Sequence, residues 1–393
     1  MAYAIPPIAP PVRTLLGPGP SNVHPRVLQA MASPIVGHLD PYYLKMMDEI
    51  QVMLRETFRT KNRATFAVSG TGSAGQEATI ANLVEPGDAI VIGVNGVFGE
   101  RLAEMARRAG GDVTRLERPW GTVFSPEDLK TALAKVRPRV VAIVMAETST
   151  GAMQPIEDIA RLVHDAGALL LVDAVTALGG IPVEVDQWGI DAIYSGTQKC
   201  LSCPPGLAPV SFNDRAVAAI TARKQPPHSW YLDVSMLTSY WGEQRAYHHT
   251  APINMTYALH EALRLILEEG LDACFLRHRR HHEALAAGLA AIGIEFVPEE
   301  SSRLPQLNAV RIPPNVDDLT IRRSLLERFG IEIGGGLGPF KGKVWRIGLM
   351  GHGARQESVL CLLAALETLL FEQKAISEVG AGVAAATSQY QRA

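Results

Sequence analysis

The sequence predicts an α/β layered fold: a mostly parallel sheet in a large domain, followed by a smaller C-terminal α+β domain. Three observations lead there. Apolar runs of strand length recur at residues 89–94, 140–145, 168–173 and 192–195, separated by helical patterns. Those runs are hydrophobic at nearly every position, as strands covered on both faces require. After about residue 253 this alternation gives way to long helices with two short strands.

The elements follow in order. Helices are predicted over 76–83, 99–109, 126–135 and 155–166. The third starts at Ser125-Pro-Glu-Asp128, where a capping serine precedes proline and two acids. Beyond residue 253, amphipathic helices are expected over 254–269 and 271–291, with glycine closing the first and lying just past the second. Short strands at 308–312 and 344–348 flank a helix at 320–329, and a last helix spans 357–373. The division expected is an arm (1–22), a large domain (23–268), a small domain (269–374) and an Ala/Gly/Ser-rich tail (375–393), partly ordered or frayed. The Pro-rich start reads as a stiff polyproline-prone arm.

Composition excludes more than it selects. With 37 Lys+Arg against 40 Asp+Glu, the net charge of -3 provides no global field for nucleic acid or an anionic membrane. No apolar run approaches the ~18 residues of a spanning helix, and no basic-then-apolar leader opens the chain, so a cytoplasmic protein is expected. Four cysteines are too few for a disulfide scaffold. Cys200-Leu-Ser-Cys203 has redox or zinc spacing but no second ligand pair, so buried structural cysteines are expected. His278-Arg-Arg-His281-His282 reads as a solvated helix face rather than a metal site. No metal is expected.

Three features carry chemistry. Ser69-Gly-Thr-Gly-Ser-Ala-Gly75 runs into a helix, and a glycine-rich turn at a helix start offers free backbone N–H groups to an anion. It lacks the lysine of a nucleotide-binding P-loop. Asp173 closes the run 168–172, and ligands of open α/β sheets bind at such strand ends. Lys199 sits in the turn Ser195-Gly-Thr-Gln-Lys199 after the next strand, where burial can lower an amine's pKa. Taken singly, each has an ordinary alternative: a small-residue loop, a cap, a surface lysine. Together they match the needs of pyridoxal 5'-phosphate: a phosphate cradle, an acid for the pyridine nitrogen, an amine for the imine.

These residues, with Leu16-Gly-Pro-Gly-Pro-Ser-Asn22, Glu147-Thr-Ser-Thr-Gly151, Trp230-Tyr-Leu-Asp233, Tyr247-His-His-Thr250, Gly334-Gly-Gly-Leu-Gly338 and Arg346-Ile-Gly-Leu-Met-Gly351, resemble the class V aminotransferases. The similarity is to their alanine/serine–glyoxylate group, spans about residues 14–370, and implies a fold-type I pyridoxal-phosphate enzyme. It implies that Lys199 carries the cofactor as an aldimine and Asp173 binds its ring nitrogen. Thr71, Gly72, Ser73 and Gln198 would hold the phosphate. Phe98, where relatives often have tryptophan, would stack on the ring, with Val175 on the other face and Thr148 at the ring hydroxyl. Arg346 would grip the substrate carboxylate as a two-pronged pair, beside backbone at Pro18-Gly19. Tyr247 and Thr250 would reach the phosphate in a partner subunit, which implies a homodimer with shared sites. His248 and His249 are read as packing at a subunit contact.

Two branches of the group are close. The branch acting on ureidoglycine and glyoxylate typically has Gln and Asn where this chain has His38 and Tyr247. An amide offers a paired donor and acceptor that a phenol lacks, and a site built for a ureido group depends on that pairing. The expected reaction is therefore ping-pong amino transfer from alanine or serine to glyoxylate, with transfer from ureidoglycine as the alternative. A cysteine desulfurase would need a nucleophilic loop cysteine, and Cys361 lies in an apolar helical pattern that looks like core. A silent relative of the fold would not need Lys199, Asp173 and Arg346 together.

Overall fold

Seven strands form the central sheet of the computed structural model, which describes residues 5–392. They are β1 (Ala64–Ser69), β2 (Ala89–Val94), β3 (Asp112–Glu117), β4 (Val140–Val144), β5 (Leu169–Asp173), β6 (Ala192–Tyr194) and β7 (Leu207–Phe212). Their order is β1-β7-β6-β5-β4-β2-β3, and only β7 runs against its neighbours. Every residue of β4, β5, β6 and β7 is buried, which explains their continuous hydrophobicity. A fully buried Val or Ile contributes about 1.5–3 kcal/mol each. The helix Pro126–Lys135 starts as its sequence predicts: Ser125 Oγ accepts from Asp128 N at 3.2 Å and Asp128 Oδ2 from Ser125 N at 2.8 Å.

The helix after β1, α1 (Gly72–Leu83), begins four residues earlier than its apolar pattern indicates. Small residues are the reason. A Cβ on Gly75 would lie 2.9 Å from the Ala208 Cβ and 3.3 Å from the Tyr194 Cβ, so the glycine-rich stretch is itself the helix turn pressed onto β6 and β7. The next helix, α2 (Val97–Arg108), follows β2.

A second core lies beyond α3 (Leu271–Ala291). It joins α3, α4 (Gln356–Glu372), α5 (Ala381–Arg392) and the antiparallel sheet β8-β10-β9, made of Leu307–Arg311, Val344–Gly348 and Gly334–Gly335 respectively. The N-terminal arm enters this core. Thr14–Leu15 pairs in parallel with Ile331–Glu332, and Leu16 is fully buried. Residues 1–4 of the arm and residue 393 lie outside the described residues. No helix among the described residues is long and apolar enough to cross a membrane.

Within the tail, expected to be partly ordered or frayed, residues 381–392 are ordered as a helix: α5 crosses α3 where Gly382 and Gly288 let the backbones approach, and Gly382 N donates to Glu367 Oε1 at 2.6 Å. Two expectations need correction. The histidines of α3 are not a solvated face. His278 and His281 are buried at the same helical spacing as Cys274 and Leu285, so they lie on the core stripe. Cys361 is exposed, because α4 turns Val359, Leu362, Leu363 and Leu366 inward and leaves position 361 on the outer side.

Candidate active site

Asp173 and Lys199 come together because β5 and β6 are parallel neighbours. Asp173 is the last residue of β5, and its register partner is Tyr194, the last of β6. The Asp173 carboxylate is buried, with Oδ2 accepting from Tyr194 OH at 2.6 Å and Oδ1 from Val175 N at 2.9 Å. Burial pushes its pKa up to about 6 against those hydrogen bonds.

Five residues beyond Tyr194, Lys199 is 8% exposed and donates through Nζ to Pro18 O. Burial, and then the charge of Arg346, bring its pKa down to about 8. Gly19 is essential to this approach. Its φ is +99°, and a Cβ there would sit 2.5 Å from Lys199 Nζ.

The anion cradle lies on the neighbouring turn. Thr71 caps α1 without a side-chain hydrogen bond, so the helix start keeps donors for a ligand. A Cβ on Gly72 would come within 3.4 Å of Val175 Cγ2 and 3.5 Å of Gly196 Cα, which ties cradle, Val175 and the lysine turn into one wall. Gln198 Oε1 is buried there with no hydrogen-bond partner among the described residues. A buried unpaired amide is costly unless a ligand satisfies it.

The opposite wall comes from other elements. Phe98 stands at the start of α2, partly buried. Thr148 is buried, its hydroxyl 2.6 Å from Thr176 Oγ1. Arg346, at the centre of β10, is 7% exposed. Its Nε donates to Gly335 O at 2.8 Å and its Nη1 to Thr148 O at 3.4 Å, so its contacts are carbonyls rather than carboxylates. Burial lowers its pKa to about 10. A guanidinium held this way keeps donors for a bidentate anion.

The remaining expected residues form a separate, more exposed group. The His38 and Tyr247 rings lie 5.3 Å apart, Tyr247 is 62% exposed, and Thr250 is exposed. His249 Nε2 lies 2.7 Å from Ser69 Oγ, and Trp230 stacks on His248 at 4.4 Å. This aromatic patch therefore touches the strand that leads into the cradle, but not Lys199.

Three further residues belong to the site although no role follows from the sequence. Tyr194 supports Asp173, a pairing that depends on strand register. Arg101 lies one helical turn beyond Phe98, its guanidinium 5.0 Å from that ring and its Nη1 3.5 Å from Ser73 Oγ. Glu147 is fully buried beneath the start of α2. Its signal was present in the sequence: like Asp173, it is an acid just past an apolar strand.

Known proteins match this arrangement along most of the chain. The family described as Aminotransferase class-V matches residues 15–340. The chain is 45% identical to the (S)-ureidoglycine–glyoxylate transaminase of Bacillus subtilis, over 98% of this chain and 96% of that protein. It is 42% identical to the alanine–glyoxylate aminotransferase of Oryctolagus cuniculus, over 93% of this chain and 94% of that one. Among solved structures, alanine–glyoxylate aminotransferase from Nostoc sp. superposes with a TM-score of 0.93 at 53% identity, covering 94% of this chain and 98% of the other.

Proposed function

The chain belongs to the class V aminotransferases, and from that premise we propose that it transfers an amino group from alanine or serine to glyoxylate, giving glycine and a 2-oxo acid, with pyridoxal 5'-phosphate as cofactor. The observation that carries the reading is a buried lysine within the electrostatic reach of a buried aspartate and of an arginine whose hydrogen bonds, among the described residues, go to carbonyls. The cofactor fits the residues present. The free start of α1 suits its phosphate, and Asp173 suits its ring nitrogen.

When bound, that cofactor supplies an aldehyde that condenses with amines and a ring that accepts electrons. The chain supplies the rest. Thr71, Gly72 and Ser73 would hold the phosphate, and Phe98, Val175 and Thr148 would line the place of the ring. Asp173, ionised above about pH 6, would pair with the ring nitrogen and favour its protonated form. Arg346 orients the substrate carboxylate beside Pro18-Gly19. Lys199, with its pKa near 8, takes the proton from the substrate Cα and returns it on the other side of the transfer. The first product leaves before glyoxylate enters, so initial-rate plots at several glyoxylate concentrations should be parallel.

The same reading includes a cytoplasmic homodimer with a large domain at 23–268 and a small one at 269–374. Tyr247 and Thr250 of each copy would reach the other's phosphate. The exposed Trp230, Tyr231 and Tyr247 beside the cradle strand support an association there. A cysteine desulfurase is disfavoured: Cys361 is exposed, but it lies inside α4 rather than on a loop.

For the amino donor, His38 and Tyr247 offer an imidazole and a phenol side by side, with no amide to read a ureido group. One observation favours (S)-ureidoglycine instead. The Bacillus subtilis match covers 98% of the chain, against 93% for the rabbit enzyme. The test is a half-reaction screen of holoenzyme with alanine, serine and ureidoglycine, followed by cofactor absorbance. A fast change with alanine or serine is expected. A response confined to ureidoglycine would overturn the donor assignment.

A further inference from the structure

The start of α2 has no cap of its own: Gly96 has no side chain to offer, and no local side chain bonds the free N–H groups. They are satisfied from elsewhere. Glu147 Oε2 accepts from Phe98 N at 3.1 Å and Gly99 N at 3.3 Å. Glu147 Oε1 accepts from Ser149 N at 3.1 Å and Ser149 Oγ at 2.5 Å, and Ser149 Oγ in turn accepts from Val97 N at 3.0 Å. A Cβ on Gly96 would lie 2.3 Å from Glu147 Cδ, so the glycine makes room for the carboxylate. Among the described residues four donors and no acceptor face the two oxygens, which favours the ionised form against the burial that pushes its pKa up to about 7.

The next residue reaches the other way. The Thr148 carbonyl accepts from Arg346 Nη1, and Glu147 is the acid whose charge favours the Arg346 cation. Residues 147–148 thus hold the ring-facing Phe98 on one side and the carboxylate-gripping arginine on the other.

We propose that Glu147 is a positioning residue that couples Phe98 to Arg346, setting cofactor affinity through the first and keto-acid affinity through the second. This rests on the function proposed above. A glutamate that only packed the core would change stability alone.

The test uses Glu147→Gln, which keeps the size but turns one oxygen into a donor facing N–H groups. Three quantities are measured: the dissociation constant of pyridoxal phosphate from the apoprotein by fluorescence titration, KM and kcat for glyoxylate, and apoprotein Tm. Both the dissociation constant and KM should rise about tenfold, the effect of one lost charge-assisted hydrogen bond. In the same variant kcat should fall less than about threefold, since Lys199 and Asp173 are untouched. Both constants within twofold of the parent, with or without a lower Tm, would overturn the proposal. If that variant does not fold, Glu147→Asp decides. Its shorter carboxylate keeps the charge but withdraws from Phe98 N, so cofactor affinity should fall while KM stays near the parent's. Unchanged cofactor affinity would overturn the link. A parent protein that takes up no pyridoxal phosphate overturns the functional reading instead.

Discussion

Ionisable side chains are buried in two regions of this molecule, and they are buried differently. On α3, His278 uses both ring nitrogens, with Nδ1 2.6 Å from Cys274 O and Nε2 accepting from Gly351 N at 2.9 Å. His281 Nδ1 lies 2.7 Å from Tyr390 OH, and His282 Nδ1 lies 2.6 Å from Asn308 Oδ1. Burial holds all three below the usual histidine pKa, His278 and His281 at about 4, so they stay neutral with neutral partners. At the candidate site, Asp173, Lys199 and Arg346 retain hydrogen-bonding capacity that the described residues do not use, and Gln198 Oε1 has no partner among them. Burial alone therefore does not mark a site. Burial with bonding capacity left over does.

That contrast predicts opposite responses to mutation. Changes at the candidate site should cost activity, and changes around α3 should cost stability. The largest effect is expected for Lys199→Ala, where removal of the amine proposed to transfer the proton should lower kcat by about 10⁴-fold, the upper range for a general acid–base. Its apoprotein should melt no lower than the parent's, because a buried amine is removed. Native-rate transamination by this variant would break the contrast. Next, Arg346→Gln should raise KM for glyoxylate by roughly 100-fold, as loss of a buried charged pair implies. A kcat loss without a KM change would assign the arginine another role.

Around α3, where α5 packs on it, the expected order reverses. Tyr390→Ala removes a buried ring against His281 and should lower stability by about 3 kcal/mol, with kcat within twofold of the parent. Denaturant unfolding and steady-state kinetics on one preparation would check both.

The smallest effect separates the regions by sign. Asp173 has a folded pKa of about 6, above its unfolded value, so its buried charge is a cost above that pH, relieved as pH falls towards 4. His278 and His281 have folded pKa values of about 4, below their unfolded values. Their contribution is therefore present above about 6.5 and lost as pH falls towards 4. Apoprotein carrying Asp173→Asn should thus lose stability more steeply between pH 7 and 5 than the parent, by about 1 kcal/mol. An equal or shallower slope would show that Asp173 is not strained by burial.

Legibility in the sequence followed the same division. The strands that hold Asp173 and Lys199 were readable because double-sided burial leaves continuous apolar runs, and the polar residues ending them stand out. Phe98, Thr148 and Arg346 required the family resemblance, since singly they look like core or surface residues. The α3 histidines were misread because their charge pattern looked solvated. The helical spacing of Cys274, His278, His281 and Leu285 carried the correct answer. The order of residues 381–392 stayed open because Ala, Gly and Ser carry little pattern, although small side chains are what allow Gly382 to meet Gly288.

The sequence by itself determined the alternation of strands and helices, the glycine-rich cradle, and the acid and lysine at successive strand ends. These are local facts, written in periodicity and turn chemistry. Only the tertiary structure decided that Tyr194 supports Asp173, that Gly19 presses on Lys199, and that Glu147 reaches under α2 while Thr148 reaches Arg346. Those contacts join segments from 21 to 198 residues apart. No local pattern encodes such a distance, because sheet register and the closing of two cores choose which residues meet.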